Sequence, residues 1–369
     1  MPFILNSEGI KAYGYFNQQA IEEVYMNKID KNRNLGVDIL KFLCAFLVVM
    51  IHAPIQGVSQ YTTPIARIAV PIFFMITGYY YFNTVKSGKE NKQIKKIAIL
   101  FVISNIIFMF WELIVDFIKD KSFVSFIEKM TSPETYLNFF VFNESPFSFH
   151  LWYVGAILYV LLIVKLLNKF DKIKILYYIT PLLLLADIVF GKYSKVFFGC
   201  EFSYIYLRNF IFVGLPNFAI GLFISEHRES IKNFNFTKVL SIIAMVVFCA
   251  TSDLEKYLLV SNKLNAPRDQ YFSTTLLAMA VFIFFTIAVE FKSGKVSSIL
   301  ARLGQRYSLL IYIVHPIILT LCNQIIPKIH LASVYKYTKP FVVFIGTVLI
   351  IFIYYLIKDA VQKKKQKKS

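Results

Sequence analysis

An all-α bundle crossing a membrane about ten times is the fold that this sequence predicts, and three observations predict it. The chain is 57% hydrophobic and only 17% charged, whereas soluble domains hold about half apolar and about a quarter charged residues. Ten mostly apolar runs recur along it, and a helix of roughly 17–25 such residues spans the hydrocarbon core. Lys and Arg alternate between crowded and sparse connections in step with those runs, the asymmetry that sets orientation in a bilayer.

Taken in order, the first 34 residues are mixed and polar. They do not have the pattern of a signal peptide and read as a cytoplasmic tail. The membrane domain is expected over 35–357, with spans near 36–54, 65–83, 95–118, 150–167, 174–190, 206–225, 237–252, 271–290, 307–327 and 340–357. The run 237–252 is short, and 139–149 reads as a re-entrant or interfacial piece. A basic tail over 358–369, with "KKKQKK", suits the anionic surface of a bilayer. With the N-terminus inside, the inner connections carry 26 Lys and Arg and the outer ones 11. That bias places both termini in the cytoplasm of a multi-pass protein of the cell membrane. The net charge of +18 then belongs to topology. No nucleic-acid partner is expected, because such a partner needs a basic soluble face.

Charged and imidazole side chains inside spans are costly and mark function. Lys41 and His52 share the first span, eleven positions apart. At 100° and 1.5 Å per residue they stand ~20° apart around a helix and ~16 Å apart along it. One face thus carries a cation low and an imidazole high, with Asp38 placed to pair with Lys41. Arg67 begins the second span, Glu112 lies late in the third and His150 opens the fourth. Asp187 ends the fifth, Arg208 and Asn209 open the sixth, and His315 lies in the middle to outer part of the ninth. Together these residues predict a polar pocket toward the outer leaflet. Pro71, Pro216 and Pro316 lie in or near the same spans, where each frees a carbonyl that something else must satisfy.

Cys44, Cys200, Cys249 and Cys322 are scattered without CxxC or metal-ligand spacing, so no metal and no bound cofactor is expected. GxSxG, a Gly-rich phosphate loop, HExxH and an EF-hand are all missing. Residue chemistry alone leaves a membrane enzyme and a transporter both open.

The series Lys41–x10–His52, "VPIFFMITGYY", "HLWYVGAILY", "LRNFIFVGLPNFAIG" and "YSLLIYIVHPI" resembles the integral-membrane acyltransferase family (acyltransferase 3). The likeness covers roughly 35 to 357 and is nearest to the membrane domain of membrane-bound serine racemases. The family pattern has Arg where this chain has Lys41, which keeps the charge and loses the bidentate fork. The resemblance implies acyl transfer from cytoplasmic acyl-CoA, acetyl-CoA first, to a hydroxyl of an extracytoplasmic polysaccharide or other cell-surface acceptor. On this reading His52 and Lys41 are the catalytic pair. Arg67, Arg208, His150, His315 and Glu112 bind substrate or stabilise charge. A polymer-export protein or a second acyl-transfer partner joins the lipid bilayer among possible associates. The rival expectation is a transporter of a small solute such as an amino acid.

Overall fold

The computed structural model describes residues 34–267 and 270–366. The expected N-terminal tail before Asn34 and the last three residues of the basic tail lie outside the described residues. Everything regular within them is helical. The principal helices are α1 (Leu35–His52), α2 (Ser59–Ala66), α3 (Ala69–Tyr79), α4 (Tyr81–Lys86), α5 (Glu90–Asp120), α6 (Val124–Thr131), α7 (Pro133–Val141) and α8 (Trp152–Lys169). They continue with α9 (Ile175–Asp187), α10 (Ser194–Phe198), α11 (Leu215–Glu226), α12 (Arg228–Asn233), α13 (Thr237–Ser261), α14 (Phe272–Ile283), α15 (Lys295–Ile325) and α16 (Ala332–Gln366).

Among the described residues, eight helical segments are long and apolar enough to cross a membrane, and Phe210–Glu226 and Phe272–Ala288 are shorter apolar ones. The two short segments fall where the sixth and eighth spans are expected. The large side chains left exposed are those a bilayer would cover. Ile103, Ile107 and Phe110 of α5, Val246 of α13 and Leu349 and Ile353 of α16 are examples.

Three boundaries differ from expectation for physical reasons. The expected span 237–252 is one part of α13, which continues to Ser261. In its charged extension, Glu255 accepts from the Tyr193 hydroxyl at 2.5 Å and the Ser273 N–H at 3.0 Å. The stretch 206–225 is not one continuous α-helix. A one-turn 3-10 helix (Tyr204–Tyr206) is followed by an extended Asn209, a π-turn (Phe210–Gly214) and then α11. Pro216 lacks the N–H that would close on the carbonyl four residues back, and the wider turn lies there. The stretch 139–149 includes the end of α7 and a loop whose Asn143 and Ser145 are buried in the bundle.

Two helix pairs position the site. α1 runs beside α15, with Ala45 and Val49 packed among Tyr307 and Ile311. α3 crosses α11 at two glycines: a Cβ on Gly78 would lie 2.0 Å from the Phe218 carbonyl oxygen, and one on Gly221 1.9 Å from that of Met75. Only bare backbone allows this approach. Each of the two elements follows an arginine, Arg67 before α3 and Arg208 before the π-turn that leads into α11.

Candidate active site

α1 delivers His52 as its last residue. Ala53 closes the final turn on the Val49 carbonyl at 2.8 Å, and Pro54 then ends the run, since a residue before proline is driven toward extended backbone. α15 brings His315 alongside. The rings of His52 and His315 stack with centroids 5.2 Å apart at 27°, while Phe149 meets His52 edge-on at 5.1 Å. The His150 ring is 5.6 Å from that of His315. Three imidazoles from three distant parts of the chain thus converge.

Two arginines flank them. Arg67 occupies the joint between α2 and α3, and its carbonyl accepts from the Gln270 side chain at 3.4 Å. Arg208 directly precedes Asn209, whose side-chain oxygen accepts from the N–H groups of Ile211 and Phe212 at 2.9 and 3.3 Å. This is a helix cap fixing where the turn begins. Asn143, in the left-handed conformation at φ 54°, donates to the Trp152 carbonyl and accepts from Phe210 N–H, both at 3.0 Å. That side chain ties the head of α8 to the turn after Arg208. The Arg208 guanidinium lies 4.5 Å from the Tyr204 ring, 5.6 Å from Trp152 and 5.8 Å from Phe149. Aromatic faces hold the cation there, and its buried Nε makes no hydrogen bond to a described residue.

These groups enclose a chamber of about 340 Å³ lined by His52, Arg67, Asp187, Tyr204, Arg208 and Gln270. It narrows against His150, Trp152 and Tyr312. Past Tyr312 lies a second cavity of about 170 Å³, mostly apolar, with Lys41, Thr77, Gln93 and Ser308 in its wall. Tyr312 is the one described residue lining both the constriction and this cavity, and its hydroxyl donates to the His150 carbonyl.

Five of the seven candidate site residues, His52, Arg67, Arg208, His150 and His315, gather at or behind the chamber wall, but not in equal roles. Lys41 pairs with buried Asp38 at 3.1 Å and also borders the second cavity, so both of its expected features coexist. His150 has both nitrogens engaged: Nε2 faces the Ile313 carbonyl at 3.3 Å and Nδ1 the Ser148 hydroxyl at 2.6 Å. A carbonyl can only accept, so the proton sits on Nε2 and Nδ1 accepts from serine. His150 braces the wall. His315 turns Nδ1 to the Ile311 carbonyl at 3.0 Å, and its Nε2 is buried without a hydrogen-bond partner. Glu112 is placed elsewhere. It pairs with Lys129 in a groove that adjoins the chamber at Phe149 and Tyr204, because its position on α5 turns it toward α6 instead of toward α1.

Sequence reasoning missed Tyr312, Trp152, Phe149, Gln270 and Asn143. Gln270 stands at the mouth of a span as Asn209 does, and the same rule finds it. Tyr312 is one of 23 tyrosines and had no such signal.

A family model described as an acyltransferase domain matches residues 34–359. The chain belongs to this acyltransferase family. Two curated relatives from Enterococcus faecalis, each named amino-acid racemase, are similar to it at 24% identity over 318 residues and 25% over 321. The matches cover 80% and 81% of this chain but 42% and 41% of the relatives, so the chain spans about two fifths of their length. No solved structure gives a significant match. Within the acyltransferase domain, the matched range contains both cavities and the septum between them.

Proposed function

We propose that this chain is a membrane acyltransferase. It takes an acyl group, acetyl in the simplest case, from cytoplasmic acyl-CoA at the Lys41 cavity. It delivers the group to a hydroxyl of an extracytoplasmic polysaccharide or other cell-surface acceptor in the His52 chamber. One observation carries the reading: two cavities of opposite character lie along one helix face and meet at a single side chain, Tyr312. The apolar cavity with Lys41 at its wall suits the slender arm and anionic end of the donor. The chamber with His52, Arg67 and Arg208 suits a hydroxyl and a developing oxyanion. The donor's arm has to span the ~16 Å that separates Lys41 from His52 along α1.

In the transfer, His52 takes the acceptor's hydroxyl proton as its oxygen attacks the thioester carbon. The new C–O bond leaves negative charge on the former carbonyl oxygen, which Arg67 and Arg208 flank. Collapse breaks the C–S bond, and the proton on His52 passes to the departing thiolate. In a two-step route His52 attacks the thioester carbon and expels the thiolate, and the acceptor oxygen then displaces the imidazole as its proton passes to that thiolate.

Membranes carrying the wild type or His52→Ala at matched expression, supplied with radiolabelled acetyl-CoA and then longer acyl-CoAs, test this directly. Label on cell-surface material with the wild type and its loss in the variant is the expected result. Undiminished label in the variant overturns the mechanism, and no label from any donor overturns acyl transfer. The rival reading, passage of a small solute such as an amino acid, predicts uptake that needs no acyl-CoA.

A further inference from the structure

From the His52 chamber a groove of about 490 Å³ leads away beneath α6 and α7, and we infer that it is a second acceptor subsite. Its chemistry fits a neutral, polyhydroxylated chain, an oligosaccharide of two or more units. The inference rests on the reading that the acceptor hydroxyl enters the His52 chamber.

Continuity is the first argument. Phe149 and Tyr204 line both the chamber and the groove, so a ligand seated at His52 can extend over two ring faces into the groove without leaving a wall. Composition is the second. Beyond the rings stand Glu112, Lys129, Thr135, Asn138 and Glu144. Flat apolar rings take the C–H faces of sugar rings, while amide, hydroxyl and carboxylate groups meet their hydroxyls, each of which both donates and accepts. Charge is the third. Lys129 is paired with Glu112 and also donates to the Pro146 carbonyl at 3.2 Å, and Glu144 accepts from the Tyr204 hydroxyl. A cation already paired with one carboxylate, beside a second carboxylate held by a neutral hydroxyl, does not select a polyanion. Unmatched capacity is the fourth. Glu112 Oε2 is buried with no hydrogen-bond partner among the described residues, and Thr135 and Asn138 border the groove with partly exposed polar side chains. A buried acceptor left unmade is costly, and a ligand hydroxyl relieves that cost.

Asn138→Trp, and independently Thr135→Trp, fill the groove from α7 and leave the chamber lining untouched. Membranes receive labelled acetyl-CoA, and two quantities are read: label on isolated surface glycan, and free CoA released to glycerol and water. Small acceptors reach His52 without the groove. Both variants are expected to lose glycan labelling by about tenfold or more, as blocking one desolvated subsite does, while CoA release stays within about twofold. Unchanged glycan labelling in both variants overturns the subsite. So does a parallel fall of both readouts in both variants, which marks a structural effect. Wild-type label on protein or lipid instead of glycan overturns the ligand class alone. Failure of the wild type to transfer label to any acceptor or to release CoA overturns the acyl-transfer reading, and the subsite falls with it.

Discussion

His52 and His315 stack 5.2 Å apart, one from the end of α1 and one from the middle of α15. Only one of the two rings lines the chamber; His315 is fully buried behind it. On the proposed function, the pair divides into a reacting imidazole and a supporting one. His52→Ala is expected to lower the transfer rate by about 10²–10⁴-fold, the range of a lost general base. His315→Phe keeps a flat ring in the stack and removes a buried nitrogen, with an expected loss of about tenfold. Initial rates at saturating donor compare the two. Equal losses would move the reacting nitrogen to His315.

Lys41 pairs with Asp38 and, on the proposed function, also meets the donor, and a paired substitution separates the two. Its partner Asp38 has a side chain only 4% exposed, and removing one member of a buried ion pair costs up to about 3–5 kcal/mol. Lys41→Met is expected to lower the melting midpoint in detergent and raise KM for acyl-CoA. Adding Asp38→Asn restores the midpoint but not KM, and Lys41→Arg preserves both. Recovery of KM in the double variant would reduce Lys41 to a counter-ion for Asp38.

Tyr312 separates the cavities, and its hydroxyl and its ring do different things. Tyr312→Phe removes a donor to the His150 carbonyl, a loss of about 1 kcal/mol in stability, and leaves the wall in place. Tyr312→Ala opens the wall between the Lys41 cavity and the His52 constriction. Release of CoA without acceptor is expected to rise with Ala and not with Phe, read by a thiol-reactive dye. Equal leakage in both variants would show that the ring is not the barrier.

Much of this arrangement was legible in the chain because helical period turns spacing into geometry. Lys41 and His52 fall on one unbroken helix, as eleven positions require, and His315 was found by the cost of an imidazole in an apolar run. Height along a span follows from counting residues, but direction around it depends on the neighbours. Glu112 shows the difference: it is late on α5 as expected, yet it faces Lys129. Nor did the pattern of Pro and Gly after Arg67 and Arg208 show by itself that the two segments cross. Contact between elements more than a hundred residues apart is a property of packing, which local periodicity does not encode. Asn143 was missed for a related reason, since one of its partners, Phe210, lies 67 positions along the chain.

The crossing of α3 and α11 gives a prediction that links the fold to the site. Gly78→Ala and Gly221→Ala each place a methyl about 2 Å from a carbonyl oxygen of the other helix, and a carbonyl oxygen on a packed backbone cannot swing aside as a side chain can. The helices must separate, at a cost of about 1–3 kcal/mol or more. Gly346→Ala is the contrast: its nearest neighbour is the Ile318 Cγ2 at 3.4 Å, an ordinary contact, and alanine in a helix gains up to about 1 kcal/mol. Melting midpoints in detergent should fall for the first two variants and hold or rise for the third. Separation also carries Arg67 and Arg208 apart, since each leads into one of the crossing elements. Transfer activity at temperatures where the variants remain folded should therefore fall for Gly78→Ala and Gly221→Ala and stay unchanged for Gly346→Ala. Full activity in folded Gly221→Ala would show that the spacing of the two arginines does not depend on this crossing.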